Sequence, residues 1–519
     1  MVTVTRQVES RLDPRRWWAL GALVASMLVL GFDMTILNVA LPTIAEDLGA
    51  TTGQQQWTAD AYIVVFAALM LPAGLLGDRF GRRRMLIAGL GVFLAASLVG
   101  AFAGDVAQVI AARALMGVGG ALVMPLAMSV VPSLFPREEQ TKAIGMISAA
   151  SALGMPLGPI IGGWLLNHFW WGSVFVLNVP MVAIGITACL FLLPESKDPA
   201  APRVDIVSTA LTALGLGSLI YAIIEGPAKG WSDPVVIGGF GAAVVLLGAL
   251  VLRERRSERP MLDLSLLSHR GFLSNTVAAT LGMFVMSGVM FLLPQYLQAV
   301  LGTDSLGTGV RMVPLMGGML VAAKLAQPLV VTFGARAVIV VSLVVLAFSA
   351  FLGARTTVDS GYGFTALWLS LAGVGIAFAM IPAMGGALGA LAKDRAGRGA
   401  GLLSTVRQTG SALGVALLGA LVAGAYTAKL STAGLPGAAA DAARDSVIGA
   451  HVVAGELGDR ALTASANSAF VHGMDLALVV IGIVSLAAAA LSAVLMPGRP
   501  GPAEPAVADP EVAPVRTDA

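Results

Sequence analysis

Long apolar runs separated by short polar breaks dominate the hydrophobic pattern of this chain. A membrane-crossing helix needs about 20 apolar residues, and the breaks divide the sequence into runs of about that length. Strands of a membrane β-barrel would instead appear as short segments of alternating polarity. The pattern therefore predicts an all-α integral membrane protein with fourteen transmembrane helices.

Composition agrees with that class and excludes several others. The 519 residues are 57% hydrophobic and 12% charged, whereas soluble proteins carry about 25% charged residues. The net charge of +2 gives no reason to expect nucleic-acid binding. The single cysteine, Cys189, lies in an apolar run, which excludes disulfides and cysteine metal sites. We expect no cofactor, no metal and no enzymatic activity, because no nucleophile–base set or soluble domain is evident.

The distribution of Lys and Arg predicts the orientation in the membrane. Basic residues are concentrated before the first apolar run and in every second loop after it, including the loop at Arg79, Arg82 and Arg83. Cytoplasmic loops are enriched in Lys and Arg. Both termini are therefore predicted to be cytoplasmic, in a multi-pass protein of the cell inner (plasma) membrane.

One acidic residue interrupts the first long apolar run, which extends from Trp17 to Ile44. A carboxylate near the middle of a membrane helix costs about 2.5–3.5 kcal/mol on insertion scales, so Asp33 needs compensation. Either it pairs with a nearby Arg or backbone donor, or it faces a water-filled cavity and binds a proton, a cation, or each in turn. The second interpretation is the basis of the functional prediction.

The loop after the second apolar run carries a recognisable pattern. The loop after the second run reads Gly74-Leu-Leu-Gly77-Asp78-Arg79-Phe-Gly81-Arg82-Arg83-Arg84 and resembles the cytoplasmic-loop signature of the major facilitator superfamily. Topology alone would explain its arginines but not its Asp and its glycine spacing. We therefore expect a cytoplasmic gate formed by Gly74, Gly77, Asp78, Arg79, Gly81, Arg82 and Arg83.

The fourth and fifth runs resemble further motifs of the same superfamily. Arg113-Ala-Leu-Met-Gly117-Val-Gly-Gly-Ala is similar to its Arg-containing motif, and the fifth run resembles its antiporter signature. Glycines four residues apart leave a nearly flat helix face that a partner helix can approach closely. Close packing without any coupling would be an equally complete physical explanation. The antiporter motif comprises Gly154, Gly158, Pro159, Gly162 and Gly163.

The whole chain is similar to the fourteen-helix drug:proton antiporter family, in the branch that includes QacA, LfrA and SmvA. The segments Phe32–Pro42, Phe175–Pro180 and Trp170–Ser173, together with a long loop before the last run, carry this likeness. It implies a major facilitator fold with two six-helix bundles and two inserted helices. The expected segments are an N-terminal tail at 1–16, a bundle at 17–193, inserted helices at 194–270, a bundle at 271–496 with an external helical hairpin at about 427–467, and a disordered tail at 497–519.

The resemblance also implies roles for residues within the membrane. It assigns proton coupling to Asp33 and Arg113 and substrate binding to Asp33 and Asp60. Trp57 lies one helical turn before Asp60, and an acid beside an aromatic ring suits a lipophilic cation through cation–π attraction. An interfacial Trp with a water-facing Asp is the alternative. Further residues predicted to bind substrate are Tyr62, Met286, Met290, Tyr296 and Phe378, although ordinary packing explains the methionines equally well.

Two basic residues in the second half also lie within predicted spans. Lys324 would need to reach about 14 Å along the helix to arrive at the cytoplasm, so a buried acidic partner is an equally weighted alternative. Arg407 is the second such residue. We predict a buried charge of uncertain role at both positions.

These observations predict a proton-coupled antiporter that exports hydrophobic, mainly cationic drugs, dyes and quaternary ammonium antiseptics by alternating access. The expected partners are lipophilic cationic small molecules, protons and the lipid bilayer, with no nucleic acid, and the expected state is a monomer. Two alternatives stay open: an exporter of a lipid or self-made metabolite on the same scaffold, and a membrane receptor that transports nothing.

Overall fold

The computed structural model describes residues 16–197, 205–257, 260–391 and 396–496, and within them every regular element is a helix. Thirteen helical segments of the described chain are long and apolar enough to cross a membrane. A further helix, Arg137–His168, lies at the position of the fifth predicted span. The predicted all-α membrane class is confirmed.

The first seven helices pack mainly on one another. Their most extensive contacts join the first to the fifth and the fourth to the second and third. They are α1 Arg16–Leu48, α2 Thr52–Phe80, α3 Arg82–Ala101, α4 Val106–Leu134, α5 Arg137–His168, α6 Ser173–Val176 and α7 Asn178–Leu192.

A second set of helices packs together in the later half of the chain. A π-helical turn, Tyr296–Val300, continues the first of them. They are α10 Arg270–Gln295, α11 Ser305–Arg311, α12 Val313–Phe333, α13 Ala335–Gly353, α14 Tyr362–Gly389, α15 Ala396–Lys429 and α18 Arg460–Leu495. The exact domain boundaries stay a prediction.

Between the two sets lie α8, Ile206–Lys229, and α9, Pro234–Arg256. The apolar side chains of Leu216, Ile220 and Ile223 on α8 form a buried cluster with Val64 of α2 and with alanines of α15. The inserted pair therefore covers the line along which α2 and α15 meet.

The helices alternate between two sides of the molecule, which we call the Gly81 side and the Gly49 side after the turns that end α2 and α1. Gly81 has φ = 112°, and Gly334, between α12 and α13, has φ = 84°. Such positive φ values favour glycine because a Cβ would be strained there. In both turns an arginine two residues further on donates to a backbone carbonyl: Arg83 to Leu190 and Arg336 to Ala493. The same glycine turn with its arginine contact thus occurs in both halves.

The segment before the last membrane helix contains two short helices. Two short helices, α16 Gly437–Asp445 and α17 Val447–Leu457, both precede Gly458, and α18 begins immediately afterwards at Arg460. Gly458 adopts a left-handed conformation that ends α17, and Asp459 accepts hydrogen bonds from the N–H groups of Ala461 and Leu462 at 2.9 and 3.1 Å. Because this cap starts α18 at Arg460, the last membrane helix begins within the segment 427–467 that was expected to form the external hairpin.

Candidate functional site

A cavity lies at the centre of the molecule, where α1 and α2 face α10 and α15. Methionine and aliphatic side chains form most of its wall, and a few polar groups interrupt them. Its lining residues are Met34, Thr35, Leu37, Asn38, Ala59, Tyr62, Ile63, Arg113, Met283, Met286, Ser287, Met290, Ser411 and Val415. A mainly apolar cavity with a few polar groups is typical of a binding site for small organic molecules.

Next to this cavity, Asp33 of α1 forms an ion pair with Arg113 of α4. The distance from Arg113 Nη1 to Asp33 Oδ2 is 2.6 Å, and each side chain is 3% exposed. The burial of both charges strengthens their attraction, and breaking such a pair by removing one partner costs about 3–5 kcal/mol. Pairing with an arginine, one of the two possibilities for Asp33, is thus what this structure contains.

Other polar groups hold the pair in place. Asn178 of α7 donates to Asp33 Oδ1 at 3.4 Å and to Ser97 Oγ at 3.1 Å. Arg113 Nε donates to the carbonyl of Thr58 at 3.3 Å, and its guanidinium lies 4.5 Å from the centre of the Tyr62 ring. The network therefore joins five helices of the first half, α1, α2, α3, α4 and α7.

Asn178 was not predicted as a site residue, although it lies in a quoted family motif. Only the three-dimensional arrangement shows that its amide reaches the acid.

Asp60 occupies a different place from the one expected of a residue that contacts substrate. It is 0% exposed, does not line the central cavity, and neither carboxyl oxygen has a hydrogen-bond partner among the described residues. One turn before it, Gln56 donates to backbone carbonyls of α15 at 3.0 and 3.1 Å, and one turn after it Val64 packs on α8. Asp60 thus lies on the face of α2 that meets α8 and α15.

Three of the residues predicted to bind substrate, Tyr62, Met286 and Met290, line the central cavity. Trp57, Tyr296 and Phe378 lie elsewhere. The Trp57 ring lies 6.4 Å from the ring of Tyr221 on α8, and Tyr296 is fully buried in the π-helical turn. Phe378 lines a separate apolar groove between α12, α13 and α14. The structure therefore does not bring Trp57, Tyr296 and Phe378 to the cavity, because each faces a neighbouring helix instead.

The predicted gate residues form a compact turn on the Gly81 side. Asp78 accepts from Arg82 Nε at 2.9 Å, and Arg82 Nη1 donates to the carbonyl of Ser129 on α4 at 3.0 Å. Glu195, which follows α7, accepts from the backbone N–H of Arg83 at 3.2 Å. This acid was missed in the sequence because no spacing links it to the loop. Gly77 is buried against α4, Gly74 faces Pro125 of that helix, and Arg79 lies over the ring of Phe80.

Glycines of the antiporter motif lie where α5 contacts α1. A Cβ at Gly154 would lie 2.8 Å from the Cα of Gly31, and Gly158 and Gly162 face Thr35 and Ile36. Gly163 and Pro159 face α11 instead, where a Cβ at Gly163 would lie 2.8 Å from the Cα of Leu306. Asp33 lies on α1 between Gly31 and Thr35, so α5 packs closely against the part of α1 that carries the acid.

The prediction of a buried charge is wrong for Lys324. Its side chain is exposed. Gly318 and Ala322 mark the face of α12 that packs inward, with Gly318 against α14, and Lys324 lies nearly opposite on the helix. The physical reason is that α12 has one packed face, so a residue on the other face has no helix over it.

Arg407 of α15 is partly buried, and none of the described residues gives it an acidic partner. Its Nη1 lies 3.0 Å from the thioether sulfur of Met384, and its Nε is buried without a hydrogen-bond acceptor among the described residues.

No group of three or more His, Cys, Asp or Glu side chains in the described part of the chain is arranged to hold a metal ion.

Comparison with known proteins agrees with this architecture. Residues 23–415 match the family model described as the Major Facilitator Superfamily. The Tetracenomycin C resistance and export protein of Streptomyces glaucescens is 33% identical over 92% of this chain and 91% of its own length. The multidrug efflux pump LfrA of Mycolicibacterium smegmatis is 32% identical over 92% and 96%, respectively. The methyl viologen resistance protein SmvA of Salmonella typhimurium is 30% identical over 80% and 84%.

A solved structure shares the fold. The inward-facing, unoccupied crystal structure of a bacterial homologue of the human lysosomal transporter Spinster superposes with a TM-score of 0.67, at 18% identity, over 93% of this chain and 97% of that one. The chain is thus a multi-pass membrane transporter and not an enzyme. It belongs to the Major Facilitator Superfamily. The predicted family, and the likeness to LfrA and SmvA within it, are confirmed.

Proposed function

We propose that this protein is a proton-coupled antiporter that exports hydrophobic drug-like molecules through the central cavity. The observation that carries this proposal is the ion pair between Asp33 and Arg113, buried beside an apolar cavity that Arg113 itself lines. The relatives are named for drug resistance and export, which adds support.

The ion pair supplies a route from protonation to movement. When a proton neutralises Asp33, the attraction to Arg113 is lost and the guanidinium is left without its anion. Arg113 then needs a new acceptor, and its cation–π contact with Tyr62 lies at the cavity wall. A shift of α1 on protonation is in turn transmitted to α5, because the two helices pack without space for even a Cβ at the motif glycines.

The conformation supports an inward-facing assignment, with the Gly81 side in the cytoplasm. Contacts between the halves on the Gly49 side include Asn167 Nδ2 to Asp304 Oδ2 at 2.5 Å and Gln298 Nε2 to the carbonyl of Val39 at 3.1 Å. The positive-inside rule supports the same orientation, with both termini cytoplasmic.

The proposed cargo includes lipophilic cations, which is supported by the likeness to SmvA, a protein named for resistance to methyl viologen. Met283, Met286 and Met290 give the wall flexible, polarisable side chains that suit molecules of different shape. We further propose that the protein acts as a monomer in the plasma membrane, with one bundle in each half of the chain and α8 and α9 inserted between them.

Export of a metabolite made by the same cell is the second candidate. It is supported by the likeness to a protein named for the resistance to and export of tetracenomycin C. The cavity and its coupling would be the same, and only the cargo would differ.

The test is transport in proteoliposomes that carry the purified protein. A pH gradient, acidic on the side that corresponds to the cell exterior, should drive accumulation of a fluorescent cationic dye in wild type and in the exposed-site control Asp47→Asn. Asp33→Asn should bind the dye without gradient-driven accumulation. Gradient-independent accumulation by wild type would overturn the proton coupling, and binding without any transport would indicate a receptor.

A further inference from the structure

An unpaired guanidinium within the second set of helices needs an explanation that proton coupling does not supply. Arg407 lies within α15 about three turns from the Gly81 end, and its Nε is buried without an acceptor among the described residues. An arginine in the membrane interior is costly unless it finds a partner or water. The thioether of Met384 at 3.0 Å is a weak acceptor and does not neutralise the charge.

The helices around Arg407 cannot supply an anion. The described helices α10 to α15 contain no Asp and no Glu. In α18 the acid is Asp475, which lies in the half of that helix near the Gly49 side. In the first half, Asp33 is already paired with Arg113, and Asp60 lies on the face of α2 that meets α8. The charge of Arg407 is therefore not neutralised within the described chain.

Arg407 lies on α15 one turn from a residue of the central cavity, toward the Gly81 side. Ser411, one turn further along α15, lines the cavity and shares a short hydrogen bond of 2.5 Å with Ser287 of α10. Residues four apart lie on the same face of a helix, so Arg407 extends the line of Ser411. Access from the proposed cytoplasmic opening would reach Arg407 before the rest of the cavity.

Two buried hydroxyls of α10 lie near this stretch of α15. Thr280 of α10 lies beside Gly410, where a Cβ would be 3.0 Å from the Thr280 carbonyl oxygen, and its hydroxyl is buried without a partner among the described residues. The hydroxyl of Thr276 is also buried and unpartnered. Thr276 and Thr280 lie seven residues before Met283 and Ser287, two turns along the cavity-lining face of α10. A guanidinium with two hydroxyls is a donor set that suits an anionic oxygen.

We propose that Arg407, with Thr276 and Thr280, is an anion-binding subsite of the central cavity, and that the protein also exports aromatic compounds that carry a carboxylate or phenolate. This rests on the proposed function and extends its cargo from cations to weak acids and zwitterions. The aromatic body would lie against Met283, Met286 and Met290, and the anionic oxygen would accept from Arg407.

The test compares anthraquinone-2-carboxylate with its methyl ester, which has the same ring system without the charge. Binding to the purified protein is measured by titration, separately from transport. Hydrogen bonds to charged groups contribute enough free energy that Arg407→Gln should weaken carboxylate binding by about ten- to a hundredfold, with ester binding unchanged. Arg407→Lys should retain part of the carboxylate affinity, and the exposed control Lys324→Gln should bind both probes like wild type.

Equal carboxylate affinity in wild type and Arg407→Gln would overturn the subsite. So would an equal loss for carboxylate and ester, because that result indicates a structural role for the arginine. Since the ester reports on the fold of each variant, a misfolded protein cannot be mistaken for the expected result. Failure of gradient-driven transport would instead contradict the proposed function, and the comparison of carboxylate with ester binding could still be interpreted.

Discussion

Arg113 donates to Asp33 across 2.6 Å, in a place where each side chain is almost completely buried. The acid belongs to α1 and the base to α4, so the pair joins two helices of the first half. Asn178 and the Thr58 carbonyl complete the surroundings. The pair thus links a proton-binding group to a residue of the cavity wall, and the proposed proton coupling depends on it.

The contact between α5 and α1 should tolerate no added atoms. In Gly154→Ala the new methyl would lie 2.8 Å from the Cα of Gly31, so we expect a loss of about 1–3 kcal/mol in the free energy of unfolding. The matched control is Gly145→Ala on the same helix, where no atom lies within 4 Å and helix propensity favours alanine by about 1 kcal/mol. Thermal unfolding in detergent measures both. Equal stability of the two variants would contradict the close approach.

The sequence predicted those parts of the architecture that a local pattern encodes. Apolar run length reports on membrane crossing directly, so the helical class could be predicted, and four-residue glycine spacing indicated a close helix contact. The partner of that contact, α1, could not be predicted because spacing on one helix carries no information about its neighbour.

Individual site residues show the same limit. The interval between Trp57 and Asp60 placed both on one face of α2, but that face meets α8 and α15 rather than the cavity. A buried acidic partner was one of two equally weighted alternatives for Lys324, because its depth was inferred from sequence position alone. Its exposure depends on which face of α12 packs inward, and only the packing of the helices determines that.

Asp60 is expected to matter for transport rather than for stability. Since its carboxyl has no hydrogen-bond partner among the described residues, Asp60→Asn should change the free energy of unfolding by less than about 1 kcal/mol. Asp60 does not line the cavity in this conformation. If α2 turns it toward the cavity during the transport cycle, Asp60→Asn should reduce transport of cationic drugs more than transport of neutral ones, because a negative charge that attracts the cation is then lost. Competition between a matched cationic and neutral pair measures this. Equal losses for both would assign Asp60 a structural role.

Asp78 should influence which side of the protein is open. Its bond with Arg82 ties the α2–α3 turn to α4 through the Ser129 carbonyl. Asp78→Asn should loosen closure on the Gly81 side, so cysteine cross-linking across that opening should fall. Asp359→Asn, an exposed acid on the opposite side, is the control. Unchanged cross-linking in Asp78→Asn would contradict the gate.

The contact between Asn167 and Asp304 should hold the Gly49 side closed. The hydrogen bond from Asn167 and the backbone N–H of Gly307 lower the pKa of Asp304 below its ordinary value of 3.8. The contact therefore stabilises closure above that value and is lost as the pH falls through the lowered pKa. Spin-label distances between α5 and α11 should accordingly be constant between about pH 5 and pH 8.

Removing the donor should lengthen those distances at every pH in that range. Asn167→Ala tests this, and Gln108→Ala, an exposed amide whose side chain bonds within its own loop, is the matched control. A wild-type distance distribution in Asn167→Ala would show that the contact does not hold this side closed.

The most direct test of the account measures proton and substrate movement in the same proteoliposomes, with a pH-sensitive dye enclosed and no imposed gradient. A substrate gradient across the membrane should drive protons in the opposite direction in wild type and in Asp47→Asn. In Asp33→Asn, substrate should still bind but proton movement should be absent. Substrate-driven proton flux in Asp33→Asn equal to that of wild type would contradict the assignment of the coupled proton to Asp33.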